Sequence, residues 1–155
     1  MLENVFPVTN IIVNLESEDK DELFEEMLEV LVASHPEIDR SEALAALKER
    51  ENKMSTGIIP GIAVPHAISK TVQGVVGAVG ISKAGIDYDS LDGQPVRLVF
   101  MFLFAEGESG YHLKVMREIS GLLQLPNFAT DLLSKGSAQA VYDYILQAEE
   151  ESARI

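Results

Sequence analysis

Apolar residues at Leu23, Phe24, Met27, Leu28, Val30 and Leu31 recur at three- and four-residue intervals, the repeat of one helical face. Ser17 and Asp19 offer start signals ahead of them and His35-Pro36 stops the run, so a helix is predicted to about Ala33. Asp39, Ser41 and Glu42 open a second helix, Glu42 to about Asn52, with Ala43, Leu44, Ala46 and Leu47 on its inner face. Ile11 to Leu15 reads as a short first strand. Val75 to Ile81 and Val96 to Ala105 are β-branched and aromatic runs bounded by turn residues. The second of these, VRLVFMFLFA, is apolar almost throughout, which is the mark of a central strand covered on both faces. DYDSLDGQP supplies turns between the two. After Glu106-Gly107-Glu108-Ser109-Gly110 the helical period returns, at about 111 to 124, 127 to 134 and 137 to 148. Helices on either side of a mostly buried sheet give an α/β class: one three-layer domain with a mixed sheet. The domain is expected over residues 1–147, with 148–155, AEEESARI, as a charged tail.

Composition narrows the functions such a fold carries. At 155 residues the chain is the length of one domain, able to bury a core without disulfides. There is no cysteine, which excludes thiol catalysis and zinc–thiolate sites. Twelve basic against twenty-five acidic side chains leave a net charge of −13, unsuited to nucleic acid or anionic lipid; it fits either a basic protein partner or simple solubility. No apolar run reaches the roughly 20 residues of a membrane helix and the N-terminus has no leader pattern, so no membrane insertion and a cytosolic location are expected.

The candidate chemistry lies in STGIIPGIAVPHAISK, residues 55–70. Pro65 stiffens the approach to His66, which follows the strand-like run IAV, while Gly57 and Gly61 permit tight backbone shapes before it. Stiff presentation suits a group that must meet a reactive atom in one geometry, although loop histidines are commonly idle. His112 lies three and four residues ahead of Val115 and Met116, which with Ile119, Leu122 and Leu123 form the inward stripe of its helix. In a first turn it sits where free N–H groups favour an anion; equally, it reads as a buried histidine satisfied by a carbonyl. His35, before Pro36, reads as a helix-end residue.

Two imidazoles at element ends, with Arg50 five residues ahead of the stretch, suit phosphate. A neutral ring nitrogen is a nucleophile, and a phosphoryl group in transit needs positioning and positive charge. HExxH, GxSxG, GxxxxGK[ST] and GxGxxG are all absent from the sequence. A metal site built from His66, His112 and a carboxylate is the competing chemistry.

RENKMSTGIIPGIAVPHA, from Arg50 to Ala67, resembles the signature around the phosphorylated histidine of enzyme IIA domains of the fructose and mannitol type. These type 2 domains belong to the bacterial phosphoenolpyruvate-dependent sugar phosphotransferase system, and the nitrogen-regulatory branch shares the pattern. SLDGQPVRLVFMFLFA and HLKVMREISGLLQLPNFATDLLSKGSAQAVYDYI resemble the rest of the domain, so the likeness covers about residues 5 to 146. The resemblance implies a cytosolic phosphoryl carrier without cofactor or metal. It would accept phosphoryl on His66 from the histidine-containing phosphocarrier protein and pass it to a cysteine or histidine of an enzyme IIB domain. His112 matches the second histidine that stabilises the phosphoryl group, Arg50 the arginine before the signature, and Glu51 the acidic or amide position that opens it. The alternative within the family is a regulator whose phosphorylation state gates binding to protein partners. Where the family usually has glycine or alanine, this chain has Ile59 followed by Pro60, a departure that bears on partner choice.

Overall fold

Each of the two long helices in the N-terminal third begins on an aspartate whose side chain accepts the backbone N–H three residues on. Asp19 takes that of Glu22 at 2.9 Å and Asp39 that of Glu42 at 3.1 Å. These caps satisfy donors that a helix start otherwise leaves open, and they set the first residues of α2 (Lys20–Ser34) and α3 (Arg40–Lys53). His35 closes α2 through its own N–H on Leu31 O. In the computed structural model, which describes residues 1–154, a four-residue helix α1 (Leu2–Val5) and a 3-10 turn precede β1 (Ile11–Ile12). After α3 come β2 (Ile62–Ala63), β3 (His66–Ser69), β4 (Val75–Ile86), β5 (Val96–Ala105), α4 (Ser109–Leu123), α5 (Phe128–Leu133) and α6 (Ala138–Ala153).

The five strands form one mixed sheet. β4 and β5 pair antiparallel, β1 runs parallel to β4, and β2 and β3 follow one another along the far edge of β5, both parallel to it. As its near-continuous apolar sequence predicts, β5 is central and buried on both faces. Val99, Met101 and Leu103 join the core under α2 and α3. Leu98, Phe100, Phe102 and Phe104 join the core under α1 and α4 to α6. The fold is α/β with three layers, and each fully buried phenylalanine of that row contributes about 1.5–3 kcal/mol of hydrophobic stabilisation.

Close packing shows at Gly77 on β4. A Cβ there would lie 2.7 Å from the Phe6 ring and 2.9 Å from a Val5 methyl, so only glycine lets the N-terminal segment rest on the sheet. Asn10, fully buried, reinforces the contact by donating to Gly77 O at 3.1 Å.

Three expectations need correction. The first strand ends at Ile12 and not at Leu15: the Leu15 N–H still reaches Ile81 O on β4 at 2.9 Å, and the chain after it turns to α2, where the Glu26 carboxylate takes the N–H groups of Glu16 and Ser17. The boundary expected at residue 147 falls inside α6, which runs to Ala153. Ala148 is buried, and Glu149 accepts the Leu2 N–H at 3.2 Å, so these residues cover α1 and do not form a tail. Finally, β4 continues past Ile81 to Ile86 through an irregularity in its pairing with β5.

Candidate active site

His66 follows the short strand β2, as expected, and itself begins the next strand, β3. The edge ladder breaks between β2 and β3 at Val64-Pro65, where proline has no N–H to give, although Pro65 O still accepts from Phe102 at 3.0 Å. His66 then stands in register with Phe102. Its Nδ1 lies 2.8 Å from Val64 O. A carbonyl can only accept, so Nδ1 carries the hydrogen and the neutral ring keeps its lone pair on Nε2.

His112 occupies the first turn of α4, its N–H on Glu108 O. No side chain caps this helix start. The imidazole lies flat on Phe104, two residues beyond Phe102 on the same face of β5. The two histidine rings are 5.9 Å apart between centroids with planes at 68°, and Phe104 stands edge-on to His66 at 6.4 Å. Strand alternation thus supplies the floor on which the rings meet.

Arg50 arrives from the last turn of α3, where a cation is favoured by the helix dipole, and its Nη1 donates to Met54 O at 3.0 Å. It lines two cavities that share His66. One, of about 310 Å³, is also bordered by Lys53, Glu49, Ile68 and His112. The other, of about 210 Å³, is walled mostly by apolar groups, among them Met54, Ile58, Ile59, Met116 and Leu123. The structure therefore brings all three sequence-predicted residues, His66, His112 and Arg50, round one cavity. His35 lies elsewhere, at the end of α2, with Nδ1 3.6 Å from Glu37.

Burial lowers the pKa of His66 below its ordinary 6.5, and the positive charges of Arg50 and a protonated His112 add to this; the Val64 carbonyl and Glu51 act in the opposite direction. Burial also lowers that of His112. Both rings are accordingly held neutral near pH 7. Among the described residues no three His, Cys, Asp or Glu side chains gather as a metal cluster.

Beneath the site lies a polar group that the residue pattern alone did not reveal. Glu51, its side chain 3% exposed, pairs with Lys20 at 3.3 Å and accepts both the N–H and the hydroxyl of Thr56 at 2.8 Å. Thr56 Oγ1 also lies 2.8 Å from the Tyr88 hydroxyl, whose pKa is driven upward by burial and then by Glu51. Gly57 sits so near Tyr88 and Ser90 that a Cβ would come within 2.9 and 3.0 Å of them. Thr56, Tyr88 and Lys20 are scattered in sequence, and only Glu51 stood out, through the family pattern. The Ile59-Pro60 departure forms a tight corner: Ile62 N–H bonds Ile59 O at 3.0 Å, and Gly61, at φ +76°, follows the proline as a type II turn requires.

Residues 4–148 match the family model described as "Phosphoenolpyruvate-dependent sugar phosphotransferase system, EIIA 2". The chain is 40% identical over 137 residues to the PTS system fructose-specific EIIABC component of Bacillus subtilis, a match covering 88% of this chain but only 22% of that protein. It is 30% identical over 148 residues to the nitrogen regulatory protein of Pseudomonas aeruginosa, covering 96% of each. The crystal structure of nitrogen regulatory protein IIA-Ntr from Neisseria meningitidis superposes with a TM-score of 0.85 at 28% identity, over 93% of this chain and 98% of that one.

Proposed function

The chain belongs to the EIIA 2 family of the phosphoenolpyruvate-dependent sugar phosphotransferase system, and on that premise we propose that it is a phosphoryl carrier whose acceptor atom is Nε2 of His66. The observation that carries this reading is the meeting of His66, His112 and Arg50 round one cavity, with Nδ1 of His66 engaged by a carbonyl and Nε2 left free. The donor is the histidine-containing phosphocarrier protein. As its P–N bond breaks, the electron pair returns to the donor imidazole while the Nε2 lone pair of His66 forms the new P–N bond. Arg50 supplies fixed positive charge, and neutral His112 offers a ring N–H to a phosphoryl oxygen, the positioning and charge neutralisation that such a transfer needs. The reverse exchange hands the group to a cysteine or histidine of an enzyme IIB domain. This cycle calls for no metal or cofactor.

Both partners are proteins, and the surroundings of the site fit protein contact. Met54, Ile58, Ile59, Ile68, Tyr111 and Leu113 are exposed apolar side chains lining the two cavities or flanking His112 in sequence. No helix among the described residues is long and apolar enough to cross a membrane. The similarity to a fructose-specific component supports a role in sugar uptake of the fructose or mannitol type, carried out in the cytosol. Incubation with phosphoenolpyruvate, enzyme I and the phosphocarrier protein is expected to place acid-labile phosphate on the protein. Label retained undiminished by His66→Ala overturns the assignment.

A second reading has its own support, the similarity along nearly the full length of the nitrogen regulatory proteins. In it, phosphorylation of His66 gates contact with a regulatory protein partner such as a kinase, transporter or transcription factor. Rapid onward transfer to a IIB domain favours the carrier. Absence of transfer to any cognate IIB domain, with a partner captured in one phosphorylation state only, favours the regulator.

A further inference from the structure

A buried carboxylate is costly unless it is paired and hydrogen-bonded, and Glu51 is both. Its partners are unusual in where they lead. Lys20 Nζ meets Oε1 at 3.3 Å, and Oε1 also accepts the Thr56 N–H at 2.8 Å. On the other side of that residue, Thr56 O accepts the Val64 N–H at 3.3 Å, and Val64 O in turn accepts Nδ1–H of His66 at 2.8 Å. A continuous run of hydrogen bonds therefore joins an ion pair under the domain surface to the imidazole of the site. The Thr56 hydroxyl strengthens the first link by donating to Oε2, which obliges Tyr88 to donate to Thr56 Oγ1. The residue before Glu51 grips the same stretch from outside, since Arg50 Nη1 donates to Met54 O.

We propose that Glu51 is a positioning residue for His66: its carboxylate, balanced by Lys20, holds the Thr56 peptide, and through it the Val64 carbonyl that keeps the hydrogen on Nδ1. Val64 lies in the break between β2 and β3, where Thr56 O holds its N–H and Phe102 N–H holds the following Pro65 O, so the Thr56 link and the β5 ladder together set where the Val64 carbonyl points. With the link loosened, the ring is free to take the other tautomer, whose Nε2 bears hydrogen and has no lone pair for a phosphoryl group. The proposal rests on His66 as acceptor only for its consequence in catalysis; the tautomer itself is a property of the unphosphorylated protein.

The test is the long-range proton–nitrogen NMR spectrum of His66 in the unphosphorylated full chain, wild type against Glu51→Leu, which has no acceptor for the Thr56 N–H, with amide spectra confirming the fold. Wild type is expected to show the Nδ1–H form, and the variant a mixture of both tautomers. Phosphoryl acceptance by the variant is expected to slow by at least about tenfold, the scale seen when a supporting hydrogen bond behind a site ligand is lost. A folded Glu51→Leu that keeps the wild-type tautomer overturns the proposal. If that variant does not fold, the paired substitution Lys20→Met with Glu51→Leu gives the same readout, because it removes the carboxylate without leaving a buried ammonium unpaired. A tautomer mixture in the paired variant supports the relay, and an unchanged tautomer there overturns it. Wild type that takes no phosphate would refute the carrier function, while the tautomer comparison still decides the role of Glu51.

Discussion

The imidazole of His112 stacks on the ring of Phe104 with centroids 3.8 Å apart and planes inclined by 22°. A strand residue of the core thereby sets the plane of a helix residue in the site. Phe104→Ala is expected to cost about 3–5 kcal/mol of stability, the usual loss for deleting a buried phenylalanine. Phe104→Leu keeps much of the apolar volume but offers no flat face, so its effect should fall more on the rate of phosphoryl acceptance than on the urea midpoint. Equal proportional losses in both measurements would show that the stack is only packing.

His66→Ala is expected to abolish labelling with the fold intact. His112→Ala, which leaves the nucleophile in place and removes one donor, should slow acceptance by about 100-fold, the order found when a single oxyanion donor is deleted. Single-turnover labelling by the phosphorylated carrier protein measures both.

The lowered pKa of His66 gives the rate profile its sign. The ring stays neutral below its ordinary 6.5, so acceptance should remain level as the medium is acidified to that value and fall only at lower pH. Stability follows the same direction. In the window between the ordinary and the depressed value the unfolded chain binds more protons, so the contribution of this histidine is complete above 6.5 and is lost as pH falls through the folded value. Urea midpoints at about pH 8 and about pH 5 should therefore converge in His66→Ala relative to wild type. A rate midpoint above 6.5 would contradict the burial that sets the shift.

Gly77→Ala forces a methyl against Phe6 and Val5 and should destabilise the protein by about 1–3 kcal/mol, as overpacking does. Phosphoryl acceptance by the folded variant should match wild type, because β5 stands between Gly77 on β4 and His66 on β3.

Asp39→Ala removes the cap of the helix that delivers Arg50. A loss of about 1 kcal/mol is expected in chemical denaturation, with labelling preserved, since the body of α3 stays packed on the sheet.

What the chain reveals unaided differs between fold and site. Val96 to Ala105 declared itself a central strand because both alternating faces are apolar, and α2 and α3 declared theirs through Asp19, Asp39 and the inward leucines. The short β1 and the long α6 were harder to read, since the chain after Leu15 is drawn to Glu26 on α2 and the last turns of α6 are tied by Glu149 to the Leu2 N–H. His66 and His112 were visible as residues, but their meeting depends on Phe104, which looks like any other core residue until α4 is laid across β5. Thr56, Tyr88 and Lys20 carried no periodic signal at all, because the charge they enclose becomes a buried charge only after folding.

The corner at Pro60-Gly61 bears on how this chain meets other proteins. Proline holds one torsion of the rim beside His66, glycine supplies the one turn geometry that closes it, and Gly61 O receives the N–H groups of Arg97 and Leu98 at 2.8 and 3.1 Å. A rim tied down in this way has little freedom left to surrender when a partner docks, so association there carries a small ordering cost. Under the proposed function, a partner docking there would have to fit Ile58 and Ile59 as it finds them, which would put selectivity in the shapes of those two side chains.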